Sequence, residues 1–160
     1  MQKVRTMPGL NFPVPTSRLE DWLPHRGPAV WVDEVLSVTA DGGDCRIILK
    51  NSANYSDGKG SIRESSFIEW MAQGFGFVCA CQALAGIVSA QEKPEKAFLV
   101  QISDFELNSD PDSNHFTEGD WMIARVKRTH QVGPIALVDG EIISSKNVTV
   151  ARAKLKVFAA

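Results

Sequence analysis

The sequence predicts an α+β fold in which one curved antiparallel sheet wraps a single long helix. Three observations carry this. One apolar stretch of helical character lies in the middle of the chain, from Phe67 to Val88. Everything after Lys96 reads as strand and turn. The 160 residues are about the length of one domain, so residues 1–160 are expected to form one unit.

The elements follow in order. Residues 1–16 hold Pro8, Pro13 and Pro15 and read as an extended arm. Ser17-Arg18-Leu19-Glu20 has capping-box spacing, which predicts a short helix to about Trp22. Pro24 and Pro28 then punctuate the chain. Residues 29–39, rich in Val, Trp and Leu, predict a strand. Asp41-Gly42-Gly43-Asp44 predicts a turn, and residues 45–49 the return strand of a hairpin. Residues 51–60 are polar and glycine-containing, a loop.

Ser61-Ile62-Arg63-Glu64 repeats the capping-box spacing and predicts the start of the long helix. The helix is expected to reach about Ser89, roughly 27 residues or about 40 Å. Few of its faces are polar, so something must enclose it. Residues 92–95 form its exit loop. Strands are then predicted at 97–107, 121–129, 135–144 and 148–158, with turns at Val132-Gly133-Pro134 and Ser145-Lys146-Asn147. In the last strand Val148, Val150, Arg152, Lys154 and Lys156 share one face; Thr149, Ala151, Ala153, Leu155 and Val157 share the other. That alternation predicts a sheet with one solvated face.

Composition narrows the function classes. Apolar residues are 44% and charged residues 22%, ordinary for a globular protein. The net charge of -2, with both signs interspersed, argues against a nucleic-acid partner. Cys45, Cys79 and Cys81 show no metal-ligand or redox spacing, which points to a reducing cytoplasm and no metal. Residues 1–8 contain no apolar signal core. Glu69, Gln73, Gln82 and three glycines interrupt the apolar stretch, which argues against a membrane span. Gly74, Gly76 and Gly86 follow no phosphate-loop spacing, so no nucleotide or other cofactor is expected.

Glu69 is the most informative residue. It stands in Phe67-Ile68-Glu69-Trp70-Met71-Ala72-Gln73, a carboxylate among large apolar side chains. A carboxylate withdrawn from water is paired, protonated or used as an acid or base, or else it lies at the solvent edge of the helix. Gln73, one turn on, is placed to orient it.

The order of elements resembles the hotdog fold. More closely, the residues resemble the 3-hydroxyacyl-(acyl-carrier-protein) dehydratases of fatty acid synthesis. Leu23-Pro24-His25-Arg26-Gly27-Pro28, then Val30-Trp31-Val32-Asp33-Glu34-Val35, is similar to their LPHRYPFLLVDRV opening. Ile68-Glu69-Trp70-Met71-Ala72-Gln73 is similar to IEAMAQ, whose Glu is catalytic in that family. Gly119-Asp120 matches a PGD before a strand, and Val138-Asp139-Gly140-Glu141 a turn before the last one. The family's catalytic His, in GHFPG, would fall at Tyr55, and its helix-opening Pro-Gly at Arg63-Glu64. Glu64 there would oppose a developing oxyanion unless it turns away. These departures resemble the divergent dehydratase-like hotdog proteins of aryl polyene and related lipid gene clusters.

The resemblance implies dehydration of a 3-hydroxyacyl thioester carried on an acyl carrier protein. Glu69 is the candidate acid, with His25 and Tyr55 as candidates for the base. Gln73, Trp70, Phe67 and Ser61 are the candidate substrate-binding positions, and Met71, Phe75 and Phe77 are further candidates to line an acyl tunnel. His115 and His130 are expected at the surface. Two other readings stay open: a hotdog thioesterase using Glu69, and a catalytically silent hotdog subunit paired with an active one. The resemblance also implies a homodimer or a heterodimer with a paralogous hotdog subunit. The apolar strand at 97–107 is the expected pairing edge.

Overall fold

The computed structural model describes residues 10–87 and 96–160. The first half of the arm, the last helical residues expected near Ser89 and the exit loop at 92–95 lie outside these residues.

The strands are β1 (Val14–Pro15), β2 (Glu34–Val38), β3 (Gly42–Ile48), β4 (Ala97–Leu107), β5 (Trp121–Val132), β6 (Ile135–Ser144) and β7 (Thr149–Ala159); the one α-helix among the described residues is α1 (Ser66–Leu84). The strands form one antiparallel sheet in the order β1-β2-β3-β5-β6-β7-β4. α1 packs across its inner face, against β2, β3 and β5 and more lightly against β6 and β7. The core is where they meet: Phe67, Trp70, Met71, Phe77 and Val78 of α1 are buried with Cys45, Ile47, Ala124, Val126, Val138 and Leu155 of the sheet. No helix among the described residues is long and apolar enough to cross a membrane.

The short helix is there, but as a 3-10 helix, Thr16–Trp22, without a side-chain cap. Thr16 donates its hydroxyl to the carbonyls of Val32 (2.7 Å) and Asp33 (3.1 Å) instead. The strand expected over 29–39 shrinks to β2 because its first half has another partner. The side chain of Gln73 takes up the backbone of Ala29 and Trp31.

The expected turn over residues 41–44 is displaced towards the N-terminus. The chain reverses between Thr39, whose N–H donates to Gly42 O (2.7 Å), and Gly42, which opens β3.

α1 starts five residues later than the capping-box spacing predicts. Ser61 and Ile62 are held in isolated bridges to His115 and Ser56, and Arg63 N–H donates to Tyr55 O (2.8 Å). Tertiary pairing thus takes the backbone groups a helix would use. Gly86, two residues past the end of α1, lies in the left-handed region at φ 67°, while Gly86 N–H donates to Ala83 O and Ile87 N–H to Gln82 O. A residue of positive φ closes the last turn in this way. At 19 residues α1 is about 28 Å long.

Candidate active site

Glu69 lies in the first turn of α1, where the helix dipole favours a negative charge. Four residues on, the buried Gln73 has all its polar geometry committed. Its Nε2 donates to Glu69 Oε1 (2.9 Å) and to Ala29 O (2.7 Å). Its Oε1 accepts from Trp31 N–H (2.9 Å). A side chain held at three points cannot rotate without orphaning a backbone group, so it fixes the position of Glu69.

His25 reaches the same oxygen from the loop before β2: its Nε2 stands 3.0 Å from Glu69 Oε1. Arg26 clamps that loop by donating to the carbonyls of Leu23 and His25. His25 Nδ1 is buried without a hydrogen-bond partner among the described residues. That arrangement places the ring proton on Nε2, donated to Glu69. The side chains of His25 and Glu69 are 31% and 38% exposed, so the carboxylate is neither sealed in the core nor free in solvent.

Both side chains open on a groove of about 640 Å³ between α1, β4 and the ends of β5–β7. Small residues of α1 make room for it: Ala72, Gly76, Ala80 and Ala83. Leu23, Phe75, Phe98, Leu99 and Val157 give it apolar walls. This volume suits a drug-sized or acyl-chain ligand.

The structure therefore brings Glu69, His25 and Gln73 together. The other sequence candidates lie elsewhere. Tyr55 is buried in the core, edge-on to Trp31 and Trp70 with centroids 5.6 and 5.1 Å away. Its hydroxyl donates to Ile48 O (3.1 Å) and accepts from Lys50 N–H (3.0 Å). Burial pushes the phenol further up from its ordinary value, against the needs of a base. Tyr55 thus clamps the backbone at Ile48 and Lys50. Tyr55→Phe should lower stability by about 1–3 kcal/mol, by orphaning Lys50 N–H and Ile48 O, and leave thioester turnover unchanged. Denaturant unfolding and an activity assay on the same preparation check this; a lost activity at wild-type stability would contradict it.

Phe67 and Trp70 do not line the groove either. They stack edge-on at 5.5 Å in the core, where Met71 and Phe77 are buried too, leaving only Phe75 of the five in the groove wall. A helix apolar on every side gives no sign of which face meets a cavity. Ser61 bridges to His115 at the far side of the helix entry, outside the groove. Glu64 is exposed ahead of α1, and its carbonyl accepts from Phe67 N–H (3.2 Å). His115 is exposed beside Asp112 (3.3 Å), and His130 is exposed on β5.

Sequence reasoning missed Arg128. In β5 the even-numbered residues Met122, Ala124 and Val126 face the core, and Arg128 continues that face into the groove. A cation at an inward position of a strand was the available signal.

A curved antiparallel sheet wrapped around one helix, with a carboxylate of that helix opening on an apolar groove, defines a protein of the hotdog fold. The chain belongs to the ApeP-like dehydratase family, whose model (ApeP dehydratase) matches residues 17–160. Among solved structures, the dehydratase heterocomplex ApeI:P of Xenorhabdus doucetiae is similar at TM-score 0.75 and 17% identity, over 92% of this chain and 91% of that one. The PaaI protein of the E. coli phenylacetic acid degradation operon aligns at TM-score 0.56 and 16% identity, over 78% and 80%. A hypothetical thioesterase from Streptococcus pneumoniae, solved with coenzyme A, aligns at 0.55 and 12%, over 79% and 84%. At such identities the likeness is one of fold. No curated protein sequence matches.

Proposed function

We propose that this chain is a dehydratase subunit acting on 3-hydroxyacyl thioesters presented by an acyl carrier protein. The observation that carries this reading is Glu69, held by His25 and Gln73 at the side of an apolar groove. In the forward reaction Glu69, as the acid, gives its proton to the departing C3 hydroxyl, which leaves as water. A base takes the C2 proton, and the electron pair of that C–H bond becomes the C2=C3 double bond. The carboxylate left behind regains its proton from solvent, to which Glu69 is 38% exposed, while His25 Nε2 holds its Oε1 at 3.0 Å. Burial raises the thiols of Cys45, Cys79 and Cys81, so none of them serves as a nucleophile.

With Tyr55 committed to the backbone, and His25 turning its protonated Nε2 to Glu69 and its Nδ1 into the protein, neither candidate base of this chain is free to meet C2 among the described residues. That favours a partner subunit supplying the C2 base, and the Xenorhabdus relative is itself part of a dehydratase heterocomplex. β4 supports such pairing. It is one of the two edge strands of the sheet, paired among the described residues only with β7, and it exposes Phe98, Val100, Ile102 and Phe105. An apolar free edge is covered in a stable protein, and a closed pair covers it. Val100→Lys is expected to weaken association about tenfold or more while leaving the melting of the subunit unchanged. Light scattering checks this; an unaltered mass distribution would remove β4 from the interface. Three free thiols suit a reducing cytoplasm.

The test of function is incubation with 3-hydroxyacyl and 2-enoyl carrier-protein thioesters, alone and with a paralogous hotdog subunit, followed by mass spectrometry. Loss or gain of one water supports the reading. Release of free acid would instead make this a thioesterase, and no turnover in either setting would leave a silent subunit.

A further inference from the structure

The groove is apolar beside its middle and polar at the end remote from Glu69. Arg128 of β5 enters it there, its guanidinium 5.4 Å from the Phe75 ring centroid. Nη2 lies 3.4 Å from Cys79 Sγ, a weak acceptor. Nε is buried without a hydrogen-bond partner, and among the described residues Arg128 has no carboxylate partner. Gln82, fully buried one turn beyond Cys79, also lines the groove. Its Nε2 is spent on Thr39 O and Ala40 O, and its Oε1 is unpartnered.

An arginine at the end of a chain-binding groove is a poor neighbour for a methyl terminus, because its charge loses water and gains nothing. It is a good neighbour for an oxyanion, which it meets with several donors. Phe75 and Cys79 are six and ten residues past Glu69 on α1, so Arg128 stands about 9–15 Å along the helix axis from the carboxylate.

Resting on the thioester reading above, we propose that Arg128 is a specificity-determining residue that recognises an oxyanion of the bound thioester about 9–15 Å along the helix axis from the group Glu69 meets. Two parts of such a ligand carry one: the phosphate of the phosphopantetheine arm, or a carboxylate at the far end of the acyl chain.

The test is calorimetric binding of four unreactive thioethers to the full chain, with its partner subunit where one copurifies. The ligands are pantetheine and phosphopantetheine, each bearing a plain or an ω-carboxylated saturated chain. One anionic form is expected to bind about tenfold tighter than the neutral parent. That gain should vanish in Arg128→Met, return in part in Arg128→Lys, and leave the neutral parent's affinity unchanged. A gain from the phosphate assigns the arm; a gain from the carboxylate assigns the chain end. Binding of the neutral parent with no anion preference overturns this inference alone. So does an Arg128→Met variant that weakens all four ligands alike, or that loses subunit association instead. No binding of any thioether to the wild type overturns the thioester reading and this inference with it.

Discussion

Glu69→Gln is expected to lower turnover of a 3-hydroxyacyl thioester at least a hundredfold, roughly the lower bound for losing a general acid. The substitution keeps the length of the side chain and its hydrogen-bonding end, but an amide is far too weak an acid to give up a proton. Gln73 still donates to the remaining oxygen, and His25 still has an acceptor, so the groove and the loop over residues 23–28 keep their shape. The unfolding midpoint should therefore stay near that of the wild type. Quantifying hydrated and dehydrated thioester by mass spectrometry, on variant and parent at matched concentration, reads the effect. Retained dehydration in the variant would remove Glu69 from the chemistry and leave it as a helix-terminal partner for His25.

Gly42→Ala is expected to abolish folding or to reduce stability by more than about 3 kcal/mol, most of what a marginal domain has to lose. A Cβ at Gly42 would lie 1.9 Å from Val126 O and 2.9 Å from Lys127 Cα, and every one of those atoms is backbone. Neither strand can yield, because Gly42 pairs with Lys127 and β5 is hydrogen-bonded on both sides, to β3 and to β6. Gly86→Ala is the contrast. It has open space around its Cβ and only the left-handed φ of 67° to resist it, a cost of about 1–2 kcal/mol. Circular-dichroism melts of the two variants should separate by many degrees. Similar melts would mean that the β2–β3 turn rearranges to admit the methyl group.

Much of the architecture was legible in the chain. β4 and β6 have the predicted bounds, and β7 the predicted alternation from Ala151 to Leu155, with Ala151, Ala153 and Leu155 buried and Arg152 and Lys154 exposed, whereas Val150, expected on the solvated face, is buried beside the register shift at Ile142 and Ile143. Two-residue periodicity bounded by turn residues is a local signal, and tertiary contacts had no reason to override it. The capping-box spacing at Ser61 was also local, and there tertiary contact did override it, because Asn114 and Tyr55 claim the backbone of residues 62 and 63. Gly42 and Gly43 read as a turn from composition. They lie in β3 because neighbouring backbone passes too close for any side chain.

The site divides in the same way. Its carboxylate stood out from the apolar residues around it, and its neighbour Gln73 from helical spacing. The aromatic residues did not sort themselves. Phe67, Trp70 and Phe75 look alike in the sequence, yet only Phe75 faces the groove. Tyr55 was placed by counting from Glu69, and its real environment is set by Trp31, Ile48 and Lys50, which no count reveals.

By itself the sequence determined the order of the elements, the enclosed helix, the carboxylate within it and the kinship of the chain. Only the tertiary structure decided that His25 meets Glu69 at 3.0 Å and that Arg128 faces Cys79 across the groove. The reason is physical. Periodicity and propensity report whether a residue is withdrawn from water, a property of its own element. Which residue lies opposite depends on how the sheet curls around the helix, and that is settled by contacts between segments 44 and 49 residues apart.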